Sequence, residues 1–138
     1  DNYIIKYLSK LKKSNTVQAN NLLILHQPLK SSLKILKMKN IKTEKVQNII
    51  RNDIDTMIRL MKEKVNYDEI ENVTVRIHPT FSAKYESIMD LKDNDYQISK
   101  NTLLEDLSNS KIVAGLDTYG LYLSEKLNIK TIRLKINE

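Results

Sequence analysis

The 138-residue sequence is 41% hydrophobic and 29% charged, which is typical of one globular domain with its own core. It contains no cysteine, so disulfides, thiolate metal sites and thiol nucleophiles are excluded. The net charge is +6, and no apolar run approaches the ~20 residues needed to span a bilayer.

The start of the chain carries no signal-peptide pattern, and its first residue is Asp1 rather than Met. We therefore expect a segment of a longer protein that works in the cytoplasm or at the inner face of the membrane.

The positive charge is concentrated in the first half of the chain. Residues 1–64 contain 14 Lys and Arg against 5 Asp and Glu, whereas residues 65–138 contain 9 against 12. The excess is greatest at Lys30, Lys34, Lys37, Lys39, Lys42 and Lys45. Such a surface is either simply solvated or attracts an anionic partner, such as a phosphorylated substrate, an acidic polysaccharide or a membrane surface. Nucleic acid is not expected as a partner, because the chain has no Trp, one Phe and no nucleic-acid-binding motif.

Hydrophobic periodicity predicts strands and helices that alternate along the chain. An amphipathic helix is expected at 3–13 and a buried strand at 22–26, while 29–42 fits either a loose helix or a basic loop. Thr43 is expected to cap a long helix over 43–65, whose apolar stripe belongs to the core. The remaining predictions are strands at 73–77, 96–98, 112–114 and 131–134, a helix over 81–91, a helix after the Thr102–Glu105 capping box, and a helix capped by Asp117 or Thr118.

This alternation is typical of βαβ units that build a parallel sheet. We predict an α/β fold: a single Rossmann-like (flavodoxin-like) domain over residues 21–138, with a parallel sheet of about five strands flanked by helices. Residues 1–20 would form a leading helix and a linker. Right-handed crossovers would place the strand ends 26–28, 78–80, 99–101 and 115–118 at one edge of the sheet.

A candidate site lies at that edge, because ligands of open parallel sheets bind at the carboxyl ends of strands. The turn over 115–120 has a glycine at each end, so its backbone can approach a ligand closely. The helix that follows presents unpaired N–H groups to an anion, and the Thr118 hydroxyl can donate as well. The turn matches neither the P-loop nor the dinucleotide-binding fingerprint. It is either a phosphate cradle or a strand-to-helix turn that binds nothing.

His78 is the second candidate, because it follows a predicted strand and precedes Pro79, which stiffens the backbone and directs the loop away. Its imidazole could bind a leaving phosphate, or it could be a structural hydrogen-bonding group. Arg76 lies on the same face of the strand and either joins this site or pairs with a carboxylate. His26 and Gln27 are candidate cleft residues at the end of the first strand. No metal site and no Ser-His-Asp arrangement is evident.

Two motifs in their strand context resemble a known family. Arg76-Ile77-His78-Pro79 ends one strand, and the stretch from Leu107 to Thr118 runs through the next strand and the glycine turn. This order resembles the carboxyl-terminal, nucleotide-sugar-binding half of bacterial GT-B glycosyltransferases. It is most similar to the sialyltransferases, polysialyltransferases and related surface-polysaccharide enzymes, over about residues 21–135.

The resemblance implies the donor-nucleotide-binding domain of a glycosyltransferase for capsule or lipopolysaccharide glycans, with a CMP-sugar as the expected donor. His78 would be catalytic, by stabilising the leaving nucleotide, and neither a metal nor another cofactor would be required. The implied nucleotide- and phosphate-binding residues are Arg76, His78, Pro79, Thr102, Gly115, Asp117 and Thr118. The glycan acceptor would bind to a first domain that this chain lacks, so the isolated domain would be inactive.

One position departs from the family pattern. The Glu that can hold the ribose in relatives falls on Leu123 here, and the nearest acid is Glu125. A two-residue shift turns a helical side chain by about 200°.

The alternative function is a non-catalytic flavodoxin-like module that binds an anionic partner through its Lys30–Lys45 surface.

Overall fold

A computed structural model describes Lys6 and residues 19–38, 40–116 and 118–136, except for the side chains of Thr80 and Ala83. Of the helix expected at 3–13 only Lys6 is described, and Asp117 lies outside the described residues. The elements in chain order are β1 (Asn21–His26), α1 (Lys30–Leu36), α2 (Thr43–Lys64), β2 (Asn72–Ile77), α3 (Pro79–Lys84), β3 (Gln97–Ile98), α4 (Leu103–Ser108), β4 (Ile112–Gly115), α5 (Tyr119–Lys126) and β5 (Lys130–Arg133). Single 3₁₀ turns lie at Tyr67–Glu69 and Glu86–Asp90.

The five strands form one sheet in the order β3-β2-β1-β4-β5, and every neighbouring pair is parallel. The predicted α/β, Rossmann-like fold is therefore confirmed. The chain moves outward from β1 through β2 to β3 and then returns to the other side of β1 for β4 and β5. This reversal leaves a crevice between β1 and β4 at the carboxyl ends of the strands, where such folds bind ligands.

β1 is central and buried on both faces, as its continuous apolar run predicts. Leu22 and Ile24 join one core cluster, with the buried face of α2, while Leu23 and Leu25 join a second cluster with α4 and α5. The predicted stripe on α2 is part of the first cluster. The described helices include none that is long and apolar enough to cross a membrane.

Three local predictions need correction. Thr43 is the first residue of α2 rather than its cap; the cap position is Lys42, which makes no side-chain bond to the helix. The helix expected over 81–91 is divided at Tyr85, whose backbone is not helical and whose hydroxyl donates to Leu36 O at 2.5 Å. Pro79 starts α3 instead of directing a loop away, at the first helical position, which proline favours.

The stretch at 29–42, for which the sequence allowed either a loose helix or a basic loop, contains the helix α1. This helix is stabilised by a residue of α2. The residue at its N-cap position is Leu29, whose side chain cannot accept a hydrogen bond from the helix. Instead, Asp53 on α2 accepts hydrogen bonds from Leu29 N at 3.3 Å and from Ser32 Oγ at 2.7 Å. The carboxylate also offsets the positive end of the α1 dipole. A residue 24 positions after Leu29 thus holds the start of this helix.

Leu25 packs against both glycines of the protein. A Cβ atom at Gly115 would lie 3.1 Å from Leu25 Cβ and 3.2 Å from Leu25 O, and one at Gly120 would lie 2.9 Å from Leu25 Cδ1. Neither glycine has a positive φ angle. The close approach of β4 and α5 to β1 therefore requires glycine here, whereas the backbone conformation does not.

We expect Gly115→Ala to lower the free energy of unfolding by about 1–3 kcal/mol, because its new methyl group meets the Leu25 backbone, which cannot move without β1. Gly120→Ala should cost less, because a side-chain end is easier to displace and alanine favours a helix by about 1 kcal/mol. Urea unfolding of both variants measures the difference. In a Leu25→Ala background the Gly120 substitution should become stabilising. Equal costs for the two single variants would contradict this account.

Candidate functional site

A pocket of about 450 Å³ opens at the carboxyl ends of β1 and β2, beside the start of α5. Strand register explains its walls: His26 is paired with Ile77 and Leu25 with Gly115, so the three neighbouring strands end level with one another. The predicted site residues that line the pocket are His26, Gln27, Arg76, His78, Pro79 and Thr118. Leu25, Ile77, Leu103, Tyr119 and Gly120 complete its lining.

Thr118 caps α5 at the edge of this pocket. Its Oγ1 accepts a hydrogen bond from Leu121 N at 3.2 Å, and that bond leaves the hydroxyl hydrogen available for another acceptor. Tyr119 and Gly120, which follow in the first turn, also line the pocket. The first backbone N–H groups of a helix have no partner within the helix and carry its positive dipole end. This wall of the pocket is therefore suited to a negatively charged group.

His78 lies on the opposite wall, directly after β2, and is exposed. Its carbonyl oxygen accepts from Phe81 N at 2.9 Å and from Ser82 N at 3.1 Å, which fixes the backbone at the start of α3. Its ring meets the Phe81 ring edge-on, with 6.1 Å between the ring centroids. The residue is thus held at the pocket by the helix that it precedes, with an imidazole that can donate to an anion.

Arg76 borders the pocket, but its guanidinium is engaged in an ion pair. Nη1 donates to Asn101 O at 2.6 Å and lies 3.3 Å from Asp106 Oδ2, which also accepts from Ser99 Oγ at 2.5 Å. The pairing with a carboxylate, one of the two alternatives for Arg76, is therefore what the structure contains. Asp106 is buried, so this network joins β2 and α4 to the end of β3 and neutralises the arginine.

Two further predicted residues lie outside the pocket lining. Gly115 packs against Leu25, so the space that its missing side chain leaves is filled by the protein itself. Thr102 forms the predicted capping box: its Oγ1 accepts from Glu105 N at 3.2 Å and donates to Glu105 Oε1 at 2.9 Å. The roles that these two residues play in the structure are in packing and helix capping.

His26 is the buried member of the site, with a residue exposure of 1%. Neither ring nitrogen has a hydrogen-bond partner among the described residues. Its Nε2 lies 3.9 Å from Oδ2 of Asp53, the carboxylate that holds the start of α1. The sequence reasoning missed Asp53. The available signal was its position on the apolar face of α2, three residues after Ile50 and four before Met57, where a charged residue needs a partner.

Tyr119 stands at the pocket with 54% of its surface exposed. Its ring centroid is 6.2 Å from that of Tyr122, one turn further along α5. Leu123, where the glycosyltransferases that the motifs resemble have an acid, is buried in the core, and Glu125 is bonded to Arg133 Nη2 at 2.8 Å. The aromatic surface at the pocket mouth is therefore supplied by Tyr119, and no acid of α5 lines the pocket.

A second cavity, of about 520 Å³, extends to the opposite ends of β1 and β2. Amides line it, and several bond to each other or to the backbone: Asn72 Nδ2 donates to Asn21 Oδ1 at 2.8 Å, and Asn21 Nδ2 to Asn109 O at 2.9 Å.

In the parts of the chain that the structure describes, no three His, Asp or Glu side chains are grouped so that they could bind one metal ion.

Comparison with known proteins finds one fold-level likeness. No family model matches the sequence, and no curated protein matches it. Among solved structures, the chain is similar to KpsC of Thermosulfurimonas dismutans, described as a beta Kdo 2,4 transferase, with 12% identity and a TM-score of 0.51. The match covers 94% of this chain and 42% of that one. At this identity the likeness concerns the fold alone.

We expect Thr102→Ala to lower the free energy of unfolding by about 1 kcal/mol and to leave ligand binding at the pocket unchanged. The hydrogen bonds from the Thr102 backbone and hydroxyl hold the pKa of Glu105 below its ordinary value. The stabilisation from the box is therefore present above that ordinary pKa and is lost as the pH falls through the lowered one. Chemical unfolding at several pH values measures this.

Thr43→Ala is the matched control, because Thr43 begins α2 without capping it. This control should change stability by less than about 0.5 kcal/mol. A clear loss of ligand affinity in Thr102→Ala, with the fold intact, would instead return Thr102 to the binding site.

Proposed function

We propose that this chain is the donor-nucleotide-binding domain of a bacterial glycosyltransferase that builds capsule or lipopolysaccharide glycans, with a CMP-sugar as donor. The observation that carries the proposal is the pocket at the reversal of strand order. It combines His78, Thr118 and the start of α5, three features that can donate hydrogen bonds to anionic oxygen. The fold shared with a Kdo transferase supports the same class of enzyme, and the motif resemblance supports the CMP-sugar donor.

The proposed chemistry uses these groups on the phosphate. Transfer breaks the bond between the anomeric carbon and the phosphate oxygen, and that oxygen keeps the electron pair. The N–H groups at the start of α5, the Thr118 hydroxyl and the His78 imidazole would donate to the phosphate as its charge grows. The acceptor oxygen forms the new bond and gives its proton to a base outside this chain.

Tyr119 would contact the base or the ribose from the mouth of the pocket, because its exposed ring is a surface on which a planar or apolar group can stack. The Glu that can hold the ribose in the glycosyltransferases that the motifs resemble would be absent, because a buried leucine, Leu123, occupies its position. The contacts to base and ribose would thus differ from those of the sialyltransferase-like enzymes, while the phosphate contacts would be retained.

The acceptor would be bound elsewhere in a larger enzyme. This chain spans less than half of the Kdo transferase structure that it resembles. We propose that the 138-residue chain binds donor without transferring sugar, and that an acceptor-binding part completes the enzyme.

An amide-resolved NMR titration with CMP, UDP and GDP tests this function. We expect saturable shifts for one nucleotide at residues 118–121, 26–27 and 78, because the pocket joins these segments. His78→Ala should weaken that binding about 10-fold, the effect of losing one hydrogen bond to a charged group.

The matched control is the pair Lys34→Gln and Lys37→Gln, which removes two exposed cations from α1 and its end. This variant should bind the nucleotide nearly as the wild type does. If it loses affinity while His78→Ala keeps it, the basic surface is the binding site and the pocket is not. If no nucleotide shifts any of these amides at millimolar concentration, the proposed function is wrong.

A further inference from the structure

His26 is a polar side chain that is buried without a hydrogen bond. Its side chain is fully enclosed, and Nδ1 and Nε2 both lack a partner among the described residues. Buried polar groups in native proteins are nearly always bonded, because an unmet donor or acceptor carries a desolvation penalty. His26 also lines the pocket, but its ring nitrogens are covered. A molecule bound there would therefore reach Nδ1 only once the imidazole turns towards it.

Asp53 lies on one side of this imidazole. Its Oδ2 lies 3.9 Å from His26 Nε2, and the carboxylate also accepts hydrogen bonds at the start of α1, from Ser32 Oγ on Oδ1 and from Leu29 N on Oδ2. With 3% exposure, Asp53 is a buried negative charge on an otherwise apolar helix face. Such a charge is stable only when a donor or cation compensates it. His26 is an ionisable group within 4 Å of it, and this pairing through Nε2 leaves Nδ1 for another acceptor.

We propose that His26 is an anion-binding residue of the pocket, with Nδ1 donating to a phosphate oxygen of the bound nucleotide, and that Asp53 is its positioning residue. This inference rests on the proposed function and extends it by one ligand contact. Strand order supports the contact: β1 lies between β2 and β4, so His26 sits between His78 and Thr118. The phosphate would then be held from three neighbouring strand ends, with His26 at the centre.

Asp53 acts by holding Nε2, which turns the ring and keeps its second N–H directed away from the carboxylate. The distance of 3.9 Å is longer than a hydrogen bond. Such contacts commonly tighten when the ligand arrives. Binding should therefore draw the ring and the carboxylate together, and the start of α1 is attached to the same carboxylate through Leu29 and Ser32.

The test combines a spectroscopic signal with substitutions that keep one ring nitrogen at a time. The probes are CMP and inorganic phosphate, added to the full chain while the ring ¹⁵N resonances of His26 and the amides of residues 118–121 are followed. His26→Asn keeps a donor where Nδ1 lies, whereas His26→Gln places it where Nε2 lies. We expect the ring resonances to move with CMP, His26→Gln to bind at least 10-fold more weakly, and His26→Asn to stay within about 3-fold of the wild type.

Asp53→Asn and Ser32→Ala separate positioning from packing. Both remove a bond between α2 and α1, but Ser32→Ala leaves the carboxylate beside His26. Asp53→Asn should weaken CMP binding about 3- to 10-fold and reduce the shift of the ring resonances, whereas Ser32→Ala should leave affinity unchanged. Equal affinities in these two variants would overturn the positioning role.

The outcomes also separate this inference from the function on which it rests. If CMP shifts the amides of residues 118–121 and the His26 ring resonances stay fixed, His26 is a structural residue and the nucleotide site stands without it. This comparison uses the wild type, so it holds even if the His26 variants do not fold. If neither CMP nor phosphate shifts any of these signals, both the inference and the CMP site are overturned.

Discussion

The close approach of β1 to β4 and α5 at Leu25 determines how the elements around the pocket pack. Leu25 fills the space left by both glycines, so β4 and the first turn of α5 lie against the central strand. That packing brings Thr118 to the same crevice as His26 and Gln27, which continue from Leu25 along β1. The two glycines thus contribute to the site indirectly, by permitting the packing that forms the pocket. The groups that could contact a ligand there belong to side chains and to the start of α5.

Two buried carboxylates, one on each face of the sheet, show how similar groups serve different purposes. Asp106 is bonded to Ser99 and paired with Arg76, so its charge is met within the protein and its role is to join β2, β3 and α4. Asp53 is bonded to Ser32 and Leu29, while its ionisable neighbour His26 is itself short of partners. A buried network in which every polar group has a partner makes the structure rigid and leaves no group for a ligand. A buried group without a partner beside a pocket can instead form its hydrogen bond with a ligand.

The sequence was sufficient for the sheet and for the edge that carries the pocket, because strands buried on both faces and the residues that end them are local signals. It was insufficient for α1, whose cap comes from Asp53, and for the division of the helix at Tyr85, whose hydroxyl bonds to Leu36. It also could not assign roles at the site. Whether Arg76 meets a ligand or Asp106, and whether Gly115 faces a ligand or Leu25, depends on residues distant in the chain. Asp53 could have been predicted from the sequence, because it is a charged residue on an apolar helix face.

A crystal structure of the protein grown with CMP at millimolar concentration would locate the phosphate without relying on any substitution. We expect the phosphate in the crevice between β1 and β4, within hydrogen-bond distance of Thr118 Oγ1 and the imidazole of His78, with the base towards Tyr119. Nucleotide bound instead in the amide-lined cavity of Asn21, Gln97 and Asn109, or on the lysines of α1, would contradict this expectation.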